Sequence, residues 1–175
     1  MAVAAEWWAH ALGWSAAGSL AAGLVLVAVV PLAPYGFLHD FPEDVQEAAA
    51  EPTPAQRRAG AVGGAVFLAV LLAVPVAVPL GWGLTHPGAP WWSLTAMAVV
   101  ALAVFTAFDT VVVDWLVICR LRPSFLVLPG TEHCAGWSDY RFHLREVLRP
   151  RALALFPVLG GAVGTAVWGL LRLLG

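Results

Sequence analysis

Long apolar stretches alternate with polar joints along the chain, and four of them, at about residues 14–34, 59–84, 92–118 and 152–174, are long enough to cross a bilayer as helices. About 20 apolar residues span the ~30 Å hydrocarbon layer. The pattern predicts an all-α fold: a polytopic membrane protein with four transmembrane helices in a bundle, short interfacial helices, and one membrane domain over residues 1–175. Glu6, Trp7, Trp8, His10 and Trp14 precede the first stretch as an aromatic lead-in suited to the headgroup zone. In the joint 35–58, Asp40 and Glu43 have the spacing of an N-cap and its reciprocal partner for a short surface helix. Glu51-Pro52 ends that helix, and Thr53-Pro54 with Gln56 then forms the start signal of the second span. Pro75 and Pro79 remove two backbone donors and predict a kink. Three pairs, Gly18 with Ala22, Gly60 with Gly64 and Gly160 with Gly164, have the spacing that lets helix backbones approach closely.

Charge orients the spans. All nine basic residues are Arg, a bias that together with abundant Ala, Gly, Val and Leu suggests a GC-rich bacterial genome. Eight of the nine fall in the joints 35–58 and 119–151, and only Arg172 lies on the opposite side. The positive-inside rule therefore makes both joints cytoplasmic and both termini extracytoplasmic, in a bacterial cytoplasmic membrane. The N-terminus lacks a basic region and a cleavage site and reads as mature chain. A net charge of −2 points to no nucleic acid partner. Within the last joint, residues 138–149 put Tyr140, Leu144, Val147 and Leu148 on one helical face and Arg141, Arg145 and Arg149 on another. This is the pattern of an interfacial helix whose Arg stripe meets anionic headgroups. The apolar run ahead of it, RPSFLVLPGTE, is too short to span.

Two carboxylates interrupt the third span, Asp109 and Asp114. A charge near the bilayer centre costs about 3 kcal/mol even on the most lenient scales, so such acids face a protein interior, a partner or water. At 100° per residue, with Thr106 as zero, Asp109 lies near about −60° and Asp114 near about +80°, with Thr95 and Thr110 between them. That arc predicts one inward face. The two acids are the candidate catalytic residues, as acid/base groups. His39, Asp40, Asp44, Arg120, Arg122, His133, Tyr140 and Arg141 fall at the same membrane side and are the candidate ligand-binding residues. Their chemistry suits an anionic lipid or lipid-phosphate ligand gripped by guanidinium groups. No HExxH, paired CxxC or His-box spacing occurs, so no metal site is predicted and no cofactor is identified. Cys119 and Cys134 read as free thiols.

The segments His39-Asp40-Phe41-Pro42-Glu43-Asp44, Asp114-Trp115 through Cys119, Arg122-Pro123 and Leu128-Pro129-Gly130-Thr131-Glu132 resemble small polytopic bacterial membrane proteins with an HDFPxDVQ-like first loop and an RPxFxxxPGTE-like last loop. The resemblance implies the architecture and carries no catalytic residue over. Three readings follow from the residues. The first is a ligand site at the cytoplasmic mouth, binding or processing a lipid-like molecule, phosphorylated or isoprenoid. The second is a small subunit or assembly factor that meets itself or another membrane protein through its glycine faces. The third is a proton-coupled transporter with Asp109 as carrier. Whether the chain is an enzyme stays open, as does a purely structural role for Asp109 in locking helix packing.

Overall fold

A computed structural model describes residues 2–174, and among these every regular element is a helix. In chain order they are α1 (Ala2–Val29), a 3-10 segment (Pro34–Asp40), α2 (Glu43–Ala48), α3 (Pro54–Thr85), α4 (Trp91–Phe108), a π-helical segment (Asp109–Leu121), a second 3-10 turn (Ala135–Ser138), α5 (Tyr140–Val147) and α6 (Pro150–Leu174). Four helices are long and apolar enough to cross a membrane: Val3–Val29, Pro54–Thr85, Trp91–Leu121 and Pro150–Leu174. Only 17–28% of the most apolar window of each is buried within the protein. Leu24, Leu32, Val62 and Leu173 are among the side chains left largely exposed. Apolar faces of that extent call for lipid around them. The protein is thus an all-α, multi-pass membrane protein.

The chain's contacts group into two compact units. The first joins Met1–Ala21, Leu71–Phe108 and Val147–Gly175. It is a four-helix bundle whose core comprises Ala11 of α1, Val74, Val78 and Trp82 of α3, Leu94, Met97 and Ala101 of α4, and Val167 of α6. Three- and four-residue spacing puts each set on one helical stripe. The glycine pair of α6 works as its spacing predicts: a Cβ on Gly160 would collide with Val99, and one on Gly164 would lie 2.5 Å from the Thr95 Cα. Gly18 likewise receives Val74, with Cγ1 2.7 Å from its would-be Cβ.

The aromatic lead-in is continuous with the span: residues 2–13 are the first turns of α1, which ends at Val29 instead of 34. Trp7 Nε1 donates to Ser93 Oγ at 2.9 Å. His10 Nε2 lies 2.9 Å from the Val78 carbonyl, and since a carbonyl only accepts, the ring nitrogen carries the proton. These two polar edges are met by α4 and α3, while Trp8 and Trp14 stay exposed. Helix α3 continues through Pro75 and Pro79 to Thr85.

The second unit comprises Ala22–Val70 and Asp109–Glu146. Val30, Phe41, Val45, Ile118, Leu126 and Trp137 form its core. Trp137 is fully buried, with its indole N–H donating to the Thr131 carbonyl at 2.8 Å. The expected cap at Asp40 does not form. Asp40 ends the 3-10 segment, Pro42 occupies the cap position of α2, and Gln46 donates to the Phe41 carbonyl at 2.7 Å. The Thr53–Gln56 box does form: Thr53 N–H donates to Gln56 Oε1 at 2.8 Å, and Gln56 N–H returns to Thr53 Oγ1 at 3.3 Å. Gly36 and Gly60 touch backbone to backbone, with the Gly60 oxygen 2.6 Å from a Cβ built on Gly36. The third span does not stop at 118. Its α-helical part gives way to π winding at Asp109, which runs to Leu121.

Candidate functional site

Within the second unit lies a cavity of about 140 Å³. Leu26, Val27 and Val30 of α1, Phe37, Asp40 and Phe41 of the first joint, and Phe67 of α3 form part of its wall. The π-helical segment supplies Asp109, Val113, Asp114, Val117 and Ile118, and the following loop adds Phe125 and Leu126. The π winding narrows the angle between the two span-three acids that line it. In an α-helix, residues five apart diverge by about 140°, whereas i→i+5 hydrogen bonding stacks such residues nearly above one another. The pattern extends past the segment's end, where Arg122 N–H donates to the Val117 carbonyl at 2.8 Å.

Asp114 is held from behind. His143 of α5 places Nδ1 3.2 Å from Asp114 Oδ1, with side-chain exposures of 5% and 16%. His143 Nε2 is buried without a hydrogen-bond partner. The helix presenting His143 is set by Asp139, whose Oδ1 accepts the N–H groups of Arg141 and Phe142, both at 3.0 Å. Asp40 reaches the same cavity from the joint. Loss of hydration pushes its pKa above the ordinary aspartate value; His39 pulls it down, Asp114 pushes it up, and His143 pulls it down.

Of the ten candidates, Asp40, Asp109 and Asp114 line one cavity, and the other seven lie outside it. The Asp44 carboxylate is occupied in the fold, accepting Gly136 N–H at 2.8 Å and Val45 N–H at 3.0 Å. Arg122 stands at φ 42°, strained for a residue with a Cβ, and donates from Nη2 to Ser138 Oγ at 2.6 Å. Tyr140 is exposed, and its carbonyl accepts the Trp115 indole N–H at 3.2 Å. Arg120, His133 and Arg141 are exposed. His39 lines a separate groove with Tyr35 and Arg57. Cys134 donates to the Asp44 carbonyl at 3.4 Å; desolvation first, then Asp44, raises its pKa, the opposite of an activated thiol.

The residues that reading the sequence missed are Phe37, Phe41, Phe67 and Phe125. In an apolar run a cavity-facing Phe looks the same as a lipid-facing one. Among the described residues, no three of His, Cys, Asp and Glu converge closely enough to hold a metal ion. Compared with protein-family models, with curated proteins and with solved structures, the chain matches none.

Proposed function

We propose that this is a multi-pass protein of the bacterial cytoplasmic membrane, with both termini outside, that binds the polar end of a lipid-like molecule in the Asp40–Asp109–Asp114 cavity. The orientation follows from the eight arginines in the two joints. One observation carries the binding reading: two acids of a membrane span, in its π-wound segment, open with Asp40 into a cavity otherwise walled by aliphatic and aromatic side chains. Intramembrane acids facing a cavity mark ligand or ion sites, and mostly apolar walls with a few convergent polar groups are the general form of small-molecule sites. At about 140 Å³ the space suits a head group or chain end, while the rest of the molecule lies in the surrounding lipid. Its polar atoms are acceptors, so the fitting head bears donors or positive charge. The arginines expected to grip phosphate lie outside it.

Native mass spectrometry of the gently solubilised protein tests the reading. A defined small molecule should travel with the wild type and be lost from Asp109→Asn and Asp114→Asn. Retention of bulk lipid alone by all three proteins would overturn it.

A further inference from the structure

We infer that the head group taken by this cavity is an organic ammonium, a protonated or alkylated amine carried on an apolar chain; the inference rests on the cavity being a ligand site. Charge comes first. Three carboxylates and the imidazole behind one of them share this environment, and among the described lining residues there is no Arg or Lys. Asp109 and Asp114 are part-buried and Asp40 stands exposed at the edge, and apart from His143 at Asp114 the lining offers no cation, so the occupant that suits neighbouring carboxylates is a cation.

The remaining wall decides which cation. Calcium takes six to eight oxygen ligands at short range, yet here the acids share a cavity without converging on a point. A larger, diffuse cation bridges such a spread. Phe37 and Phe67 meet edge to face at 5.7 Å, and Phe41 and Phe125 add two more rings. Ring faces attract ammonium groups, and aromatic cages for methylated amines use this attraction together with nearby acids. Hydrated metal ions gain little from phenyl rings, because they cannot shed water to reach them. Size agrees: an engineered apolar cavity of about 150 Å³ admits benzene, so 140 Å³ admits a compact substituted ammonium. Leu26, Val27 and Val117 then offer wall for the chain. His143 acts as a positioning residue that fixes Asp114.

The full-length protein in a non-ionic detergent is titrated calorimetrically with hexyltrimethylammonium, hexyl phosphate and hexanol. The ammonium should bind at least about tenfold tighter than the other two. Phe67→Leu should weaken it about 2- to 30-fold, the range for a desolvated cation–π contact, and Asp109→Asn and Asp114→Asn should weaken it further. Hexanol binding should be unaffected by any of the three. If hexanol or hexyl phosphate binds as tightly as the ammonium, the cavity remains a ligand site but the ammonium assignment falls. If none of the three binds, the ligand-site reading itself falls. Should Asp114→Asn fail to fold for loss of its His143 contact, Asp109→Asn and Phe67→Leu decide the matter, and ammonium binding unchanged in both overturns the proposal.

Discussion

Helix α5 supplies two acid–base pairs of nearly equal length and very different burial, and their contrast makes a quantitative test. His143 Nδ1 lies 3.2 Å from Asp114, with side-chain exposures of 5% and 16%, while Arg145 Nη2 lies 3.3 Å from Asp139, with exposures of 69% and 39%. Distance alone predicts equal contributions; solvation predicts otherwise. An exposed pair contributes about 0–1 kcal/mol. Removing one partner of a buried hydrogen-bonded pair leaves the other unsatisfied and costs about 1–3 kcal/mol, more where the remaining group is a carboxylate. Asp114 opens on the cavity, where water can reach it, so about 3 kcal/mol is the expected cost of His143→Ala. At about 2–4 °C per kcal/mol for a chain of this length, the melting temperature should fall by about 6–12 °C, against at most about 4 °C for Arg145→Ala. Asp114→Asn keeps an acceptor for the Nδ1 proton and should cost about 1 kcal/mol. The assay is thermal unfolding in detergent followed by tryptophan fluorescence. A double-mutant cycle of His143→Ala with Asp114→Ala subtracts the lost packing. A coupling below about 0.5 kcal/mol, or equal melting shifts for the two pairs, would refute the claim that burial decides their worth.

Gly164→Ala forces a Cβ against the backbone of Thr95 and should destabilise by about 1–3 kcal/mol. Gly161→Ala, which meets nothing within 4 Å, should stabilise by up to about 1 kcal/mol through helix propensity; the reverse ranking in thermal unfolding would sink the packing assignment. For Asp40, a folded-state pKa raised above 3.8 means that the folded protein holds the proton more tightly than the unfolded chain. Its contribution is therefore favourable at low pH and lost as pH climbs from 3.8 through the raised value. The wild type should lose stability relative to Asp40→Asn over that rise, and a pH-independent difference in melting temperature would contradict this. Thr53→Ala removes one half of the cap at the start of α3 and should cost about 1 kcal/mol. Hydrogen exchange should quicken in the first turn of α3 only, and unchanged exchange there would count against the cap.

Features set by local chemistry were legible in the sequence. Span count follows from apolar length, the start of α3 from Thr53, Pro54 and Gln56, and a close helix approach from Gly160 and Gly164, without the identity of its partner α4. What escaped depends on distant partners. Trp7 and His10 carry polar edges that suit headgroups, and only Ser93 and Val78, far along the chain, show why they sit within α1. Asp44 has the chemistry of a ligand residue until Gly136 N–H claims its carboxylate. His143 is one of five histidines and carries no distinguishing spacing, and only burial against Asp114 separates it from His133 and His39.

The π-helical segment ties the fold to the site. Its wide turns hydrogen-bond less well than α turns, and no local residue pattern calls for them. Two acids five apart do. Under α winding, Asp109 and Asp114 would stand at the two edges of a face about 140° wide, where an acid turned any further toward lipid carries a penalty of about 3 kcal/mol or more. Under π winding both open on the cavity beside Asp40. A helix needing only to span the membrane would avoid this cost altogether by having no acid at one of the two positions. Both acids and the unusual winding are present together; His143 gives Asp114 a packing partner, and under the proposed binding role a donor-bearing occupant would use both acids.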